Sequence, residues 1–327
     1  HEICELESKE IIIHKIKINV KKESSLTILT VLTILNTLAV GYLICRPQPV
    51  QIQHVSRIAP LVKPSDVHLP DTFSLLQEQV PLARTDVSEA FRKEIIVNTY
   101  LHSHTIQILK NIPRYFSIIE PILKAEKVPD DFKYLAVIES SLNPLALSPV
   151  GAAGIWQFMK GTGKEYDLKI TPEVDERYHI EKATRAACQY LKKAREKFGS
   201  WTLAAAAYNG GMNMLSRQIK LQKENNFYDL LLGEETARYV FRIMALKQII
   251  EHPHHYDFAV SERYAPEARE QVKVNRSIKD LAAFAQQHGI SYKTLKRFNP
   301  WLRKNTLKVN KNETYYIAIP VDKKAYK

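Results

Sequence analysis

Apolar and polar positions follow three regimes along the 327 residues of the chain. Residues 26–45 carry no charged side chain, and Thr27, Thr30 and Thr33 leave that run without an amphipathic face. It is long enough to cross a bilayer. Lys15, Lys17, Lys21 and Lys22 precede it, as in a signal or signal-anchor segment. Residues 46–81 are broken by Pro47, Pro49, Pro60, Pro64, Pro70 and Pro81, which predicts an extended linker. From residue 85 the apolar positions recur at helical spacing. Helices are predicted over 86–110 and 114–127, punctuated by Pro113 and Pro129. Thr162 to Glu165 reads as a capping box opening a short helix. A strongly amphipathic helix follows over 180–198, closed by Gly199, with Ser200 as the cap of the next one over 201–208. Another is predicted over 234–250. Beyond Tyr256 the pattern changes to a short strand at 272–274, helices over 277–288 and 291–298, and a β-rich run at 315–319.

This pattern predicts a mainly α fold divided into a charged N-terminal tail (1–23), a transmembrane or signal-anchor segment (24–45), a Pro-rich linker (46–81), a helical domain (82–258) and a small α+β module (259–327). Apolar residues make up 45% of the chain, enough for a packed core, and the net charge is +12. That charge suits nucleic acid, an anionic membrane or an anionic polymer. No zinc-ligand spacing, RNP motif or single basic block supports nucleic acid. Cys4, Cys45 and Cys188 are odd in number and far apart, so they form neither a disulfide framework nor a metal site. Leu43-Ile44-Cys45 outlines a lipoprotein cysteine, but a bulky Ile44 stands where such processing favours a small residue. His102 and His104, two apart, face different sides of a helix, and His252, His254 and His255 mark a helix exit.

The chemistry concentrates in residues 134–159. Phe132, Leu135 and Ala136 share one helical face, and Glu139 lies on the same stripe. A carboxylate there is costly unless it is paired or kept protonated. It is a structural ion pair, a side chain rotated out at the helix terminus, or a functional acid. Pro144 disfavours helix at Asn143, which sets Glu139 in a last turn, at a mouth. Gly151-Ala152-Ala153-Gly154 then offers small residues that permit close approach, and Ile155, Trp156, Phe158 and Met159 surround the single polar Gln157. An acid, a bare backbone segment and an aromatic wall are the parts of a sugar cleft.

Four motifs occur in one order: Glu139-Ser140; Ser148-Pro149-Val150-Gly151-Ala152-Ala153-Gly154-Ile155-Trp156-Gln157-Phe158-Met159; Ala207-Tyr208-Asn209-Gly210-Gly211; and Glu235-Thr236-Ala237-Arg238-Tyr239-Val240. Together, over roughly residues 85–258, they resemble the lytic transglycosylases with a goose-lysozyme-like catalytic domain, and within them the membrane-bound D type. The resemblance implies a lysozyme-like helical domain with Glu139 as the catalytic acid. It also implies that Ser148 orients the acetamido group or 6-hydroxyl of the sugar. Gln157 and Asn209 hydrogen-bond sugar, Gly154, Met159 and Tyr208 belong to the cleft, and Tyr239 reaches the catalytic carboxyl. The strand–helix–helix–strand pattern of the C-terminal module resembles LysM, which binds N-acetylated glycan. Asn275-Arg276 stands where the usual glycine-aspartate turn would be, so glycan binding by this module stays open.

The activity so implied is cleavage of the β-1,4 bond between N-acetylmuramic acid (MurNAc) and N-acetylglucosamine (GlcNAc) in peptidoglycan, leaving 1,6-anhydro-MurNAc ends. No metal and no organic cofactor is implied. The expected partners are peptidoglycan glycan strands and, through the N-terminal segment, a membrane. The expected location is the cell envelope, with the catalytic domain in the periplasm. Two alternatives stand: a muramidase that hydrolyses with water, and a catalytically silent peptidoglycan-binding membrane protein.

Overall fold

The computed structural model describes residues 69–326, together with Val67 and Asn36. The charged tail and, Asn36 apart, the 24–45 segment lie outside the described residues. Among the described residues no helix is long and apolar enough to cross a membrane.

The chain enters the core before the predicted helices begin. Two short strands, β1 (Ser74–Leu75) and β2 (Glu78–Gln79), pair antiparallel around Leu76 and Gln77, both at positive φ. Leu75 and Leu76 are fully buried, and Val67, Phe73 and Val80 nearly so. The linker reading therefore fails from residue 67 onward, because these apolar side chains have a core to fill. Glu78 makes the attachment specific. Its carboxylate accepts from Thr202 N (3.0 Å), Thr202 Oγ1 (2.6 Å) and Ser200 Oγ (3.0 Å), satisfying free donors at a helix start.

Helices α1 (Thr85–Tyr100) and α2 (His102–Ala125) meet at Leu101, not at Pro113. Thr105 Oγ1 donates to Asn98 O (2.7 Å) across the break, which occupies a carbonyl at the end of α1. Pro113 and Pro121 lie inside α2. Proline frees a carbonyl one turn back, and close to that turn Lys110 O accepts Tyr264 N from the returning chain (2.8 Å). α3 (Lys133–Ser140) follows a single 3₁₀ turn. α4 (Lys160–Glu165) starts at Lys160 with no side-chain cap, so the expected capping box is absent: the helix begins two residues before Thr162.

α5 (Ile180–Phe198) matches its pattern, ending on Gly199 at φ +79. Ser200 then caps α6 (Trp201–Gly210) by accepting from Leu203 N (3.1 Å). Ala204 to Ala207 have no exposed surface, and their small side chains let α6 pack closely against α5 and α8 (Glu234–Glu251). α7 (Met212–Gln222) lies between α6 and α8 in sequence. α8 is the hub, with Tyr239, Val240, Ile243, Met244 and Ala245 buried, packed on α1, α3 and α6.

Beyond residue 268 the chain forms β3 (Arg269–Val274), α9 (Leu281–Gln287), α10 (Tyr292–Phe298) and β4 (Tyr315–Pro320), with β3 antiparallel to β4 from Arg269–Pro320 to Val274–Tyr315. Asp280 caps α9, so that helix starts later than the predicted 277. The module does not hang free. Its hydrophobic cluster takes in Ala153, Val174 and Tyr178 from the helical part. Asp175 N donates to Trp301 O (2.9 Å) and Arg303 N to Glu173 O (2.7 Å). The fold is mainly helical, with a small strand-containing module joined to it through the 173–178 segment.

Candidate active site

α3 buries Tyr134, Leu135, Ala136 and Val137, which leaves Glu139 in its last turn at the edge of the core. The chain then leaves the helix through two successive left-handed residues, Ser141 (φ 54) and Leu142 (φ 60). Such conformations cost roughly 1–2 kcal/mol per non-glycine residue. Packing compensates, since Leu142 is fully buried and Ser140 Oγ donates to Ile155 O (2.9 Å). The result ties the Glu139 turn to the segment that faces it.

Glu139 Oε1 accepts a hydrogen bond from the phenol of Tyr239, which α8 holds with 1% of its surface exposed. Burial pushes the Glu139 carboxyl up to about 7, against the lowering effects of the Tyr239 bond and the Arg242 charge. Both phenols beside it, Tyr239 and Tyr208, are held well above the ordinary tyrosine value, by burial first and then by the Glu139 charge. At neutral pH this carboxyl is therefore poised between acid and base.

The facing segment, 146–158, is held by the protein itself. Leu147 and Phe158 both bridge to Ala153. Ser148 Oγ accepts from Ala152 N (3.0 Å), which leaves its hydroxyl proton to donate elsewhere. Gly154, at φ +79, is required by its own surroundings: a Cβ there would lie 1.8 Å from Arg177 O. The close approach inferred at Gly154 is thus made by the chain and not by a ligand; the residue is buried. Gln157, at φ 48, donates Nε2 to Gly154 O (2.7 Å) and Ala146 O (3.3 Å), keeping its carbonyl oxygen free.

Tyr208 and Asn209 close α6 beside Glu139. Tyr208 OH donates to Trp156 O (2.8 Å), and its ring packs edge-on against Trp156, Phe158 and Tyr190. Asn209 Oδ1 accepts from Thr236 Oγ1 (2.8 Å), leaving its amide NH₂ available. Met159 stands at the rim, 45% exposed. The structure therefore gathers Glu139, Tyr239 and Tyr208 around one carboxyl. Ser148, Gln157 and Met159 lie on the segment tied to the Glu139 turn with Gly154 packed behind them, and Asn209 follows Tyr208 at the end of α6.

The sequence reading missed Arg177. It is 7% exposed, pairs with Asp175 (2.7 Å), and donates Nη1 to Gly151 O (2.8 Å) and Phe158 O (3.1 Å). It clamps both ends of the 151–158 segment. Its only sequence signal is the charged run Asp175-Glu176-Arg177, which reads as ordinary surface charge. Glu235 is the other carboxylate whose charge acts on Glu139; it is largely exposed and lies 4.0 Å from Arg242. Glu94, 2% exposed, pairs with Arg238, while Asp131 pairs with Lys247 (2.9 Å) and accepts from Leu76 N (2.7 Å). A cavity of about 310 Å³ adjoins the Ser141 turn, lined by Asn98, His104, Glu235, Arg238 and Arg242 among others. The arrangement offers one proton-bearing carboxyl, a phenol bonded to it, and the free hydroxyl of Ser148 and carbonyl oxygen of Gln157 on the segment tied to its turn: groups suited to general acid–base chemistry on a polar ligand.

Comparison with known proteins bears on this geometry. Residues 116–231 match the transglycosylase SLT domain, and residues 270–323 match the soluble lytic transglycosylase C-terminal LysM-like domain. The chain is 30% identical over 239 residues to the membrane-bound lytic murein transglycosylase D of Escherichia coli (strain K12), covering 72% of this chain and 51% of that protein. It is 32% identical over 141 residues to peptidoglycan transglycosylase gp16 of Escherichia phage T7, covering 41% of this chain and 10% of that protein. Among solved structures, the 70 kDa soluble lytic transglycosylase of Escherichia coli aligns at a TM-score of 0.39 and 19% identity, over 54% of this chain and 32% of that one. The lytic transglycosylase Slt of Pseudomonas aeruginosa aligns at 0.36 and 21%, over 46% and 26%. The chain spans about half the length of the curated transglycosylase D it matches. It carries a transglycosylase SLT domain followed by a LysM-like domain.

Proposed function

We propose that the chain is a peptidoglycan lytic transglycosylase with a goose-lysozyme-like catalytic domain over 82–258 and a LysM-like module over 259–327. It cleaves the MurNAc–GlcNAc β-1,4 bond without water. The observation that carries this reading is the Glu139 carboxyl, raised to about 7 by burial and bonded by Tyr239, while the carboxylate whose charge reaches it, Glu235, is exposed and set against Arg242 (4.0 Å). Ordinary glycosidases pair two carboxylates, whereas substrate-assisted cleavage needs one. In the proposed sequence Glu139 gives its proton to the leaving glycosidic oxygen while the sugar's own acetamido oxygen supports the anomeric carbon. The resulting carboxylate then takes the proton of the 6-hydroxyl, whose oxygen closes the 1,6-anhydro ring. Tyr239 stabilises the carboxylate form, Ser148 donates to the acetamido or 6-hydroxyl oxygen, and Asn209, Gln157, Met159 and Tyr208 hold the sugar, with Gly154 supporting the segment. The name of the Escherichia coli relative supports a place in the cell envelope, and we assign the anchor to residues 24–45, with the catalytic domain in the periplasm.

Mass spectrometry of fragments released from purified sacculi tests the activity. Products ending in 1,6-anhydro-MurNAc, lighter by one water than reducing ends, are expected. Reducing ends would make the chain a hydrolytic muramidase, and no release would make it a binding protein. Fractionation of tagged cells tests the anchor, and wholly soluble cytoplasmic protein would refute it.

A further inference from the structure

The positive charge of the chain is concentrated toward its end. Residues 269–327 hold 14 Lys and Arg against 4 Asp and Glu, a balance of +10 out of +12 for the whole chain. Folding gathers five of these cations on one edge of the module. Ile278 and Leu307 form an antiparallel bridge, each donating its N–H to the other's carbonyl (2.8 and 2.9 Å). Ser277 Oγ accepts from Val309 N (2.9 Å) and Leu281 N donates to Asn305 O (2.8 Å), so the two segments lie side by side. Ile278 and Leu307 pack into the core of the module, which turns their chain neighbours Lys279 and Lys308 outward. Arg276, Lys279, Lys304, Lys308 and Lys311 are all exposed, and each lies within four residues of the bridge. Their Cα atoms are therefore at most about 14 Å from it.

None of the five has a carboxylate partner among the described residues. Three carboxylates border the edge. Glu313 is neutralised by Lys169, Asp280 caps α9, and Glu173 accepts from Thr306 Oγ1 (2.7 Å) and Lys308 N (3.0 Å). Five cations thus stand against Asp280 and Glu173. The edge is also where the module departs from the LysM pattern, since Asn275-Arg276 puts a cation in place of the usual aspartate. Beside it Lys273 of β3 stands opposite Tyr316 of β4, and both are exposed.

Four of the five cations are lysines. An ammonium on a flexible stem is a point charge, without the fork that reads one carboxylate or phosphate in a fixed geometry. Neutral N-acetylated sugars offer it no counter-charge. Exposed lysines with a tyrosine beside them match the headgroup layer of an anionic membrane, where each Lys or Arg is worth roughly fivefold in affinity and tyrosine sits at headgroup depth. A bilayer is within reach. Twenty-one residues separate the proposed anchor, ending at Cys45, from Val67, at most about 75 Å of chain.

We infer that the edge formed by Arg276, Lys279, Lys304, Lys308 and Lys311 docks the module on an anionic phospholipid surface. For the nearness of that surface the inference rests on the anchor proposed above; for its chemistry it rests on the edge. The LysM-like module then makes a second, salt-sensitive membrane contact, which sets the helical part beside the bilayer.

Amine labelling of the full chain, read residue by residue by mass spectrometry, tests this. The chain is reconstituted with vesicles of phosphatidylcholine alone or mixed with phosphatidylglycerol, and rates are normalised to Lys220 and Lys223, exposed at the end of α7. Lys279, Lys304, Lys308 and Lys311 are expected to label more slowly on the phosphatidylglycerol vesicles and to regain their rate at high salt. Lys304→Gln combined with Lys308→Gln removes two charges at exposed positions. It should lower the docked-to-free ratio, read at Lys279 and Lys311, by about 25-fold, roughly fivefold per charge. Equal labelling on the two kinds of vesicle overturns the inference, as does full protection in the double variant. Labelling slowed by purified sacculi and not by vesicles also overturns it, and assigns the edge to peptidoglycan. Slowed labelling on anionic vesicles by a protein that cell fractionation finds wholly soluble overturns the anchor and leaves the docking edge standing.

Discussion

Glu139→Gln separates the catalytic role of the carboxyl from its role in the fold, and the two effects have opposite signs. The carboxyl stands at about 7 in the folded chain, against 4.5 for an ordinary solvated glutamate. The folded state therefore binds this proton more tightly than the unfolded state, and stability falls as pH rises between those two values. At roughly 1.4 kcal/mol per pH unit the difference amounts to about 3 kcal/mol once both states are ionised. Glutamine removes that cost while its carbonyl oxygen still accepts from Tyr239. The variant should match the wild type in chemical denaturation near pH 4, gain on it through pH 4.5 to 7, and hold a constant advantage of up to about 3 kcal/mol above pH 7. Cleavage of sacculi should meanwhile drop by about 10²- to 10⁴-fold, the usual worth of a positioned acid–base group. Wild-type turnover should decline above about pH 7, as the acid form is lost. A stability difference independent of pH would refute the burial argument. Full activity in a folded Glu139→Gln variant would refute Glu139 as the acid.

Tyr239→Phe removes the bond that holds the Glu139 carboxyl down, so the alkaline limb of the pH–rate profile should move upward by about one pH unit, the worth of one hydrogen bond to a charge; an unmoved limb contradicts the assigned contact. Arg177→Ala leaves Asp175 buried without its partner and frees Gly151 O and Phe158 O, so denaturation should register a loss of about 3–5 kcal/mol; a loss under 1 kcal/mol would mean that segment 151–158 is held by other contacts. Truncation after Tyr264 uncovers Val174 and Tyr178, so the shortened chain should melt lower and cleave soluble glycan more slowly than the full chain; equal melting and equal rates would show the module to be energetically separate.

Much of the architecture was legible in the sequence because it rests on local periodicity. The apolar spacing over Ile180–Phe198, with Gly199 as the left-handed stop and Ser200 as the next cap, specifies a helix and its ends with no help from the rest of the chain. The four-alanine run before Tyr208 and the strand–helix–helix–strand order after residue 268 were readable in the same way. So was the position of Glu139 in the last turn of a helix. Tertiary structure decided what periodicity does not encode. Residues 67–80 look like linker because six prolines mark residues 46–81, yet Leu75, Leu76 and Glu78 find a core and a helix terminus to satisfy. Pro113 stays inside a helix whose Ile108, Leu109, Ile112 and Phe116 are buried in the core, and next to the carbonyl it leaves free Lys110 O accepts Tyr264 N from the returning chain. Gly154 looks like an opening for ligand, but the space belongs to Arg177, 23 residues further on. The raised carboxyl, the Arg177 clamp and the cationic edge at the Ile278–Leu307 bridge all depend on groups brought together from distant segments. Desolvation and charge act through space, and only the folded chain fixes those distances.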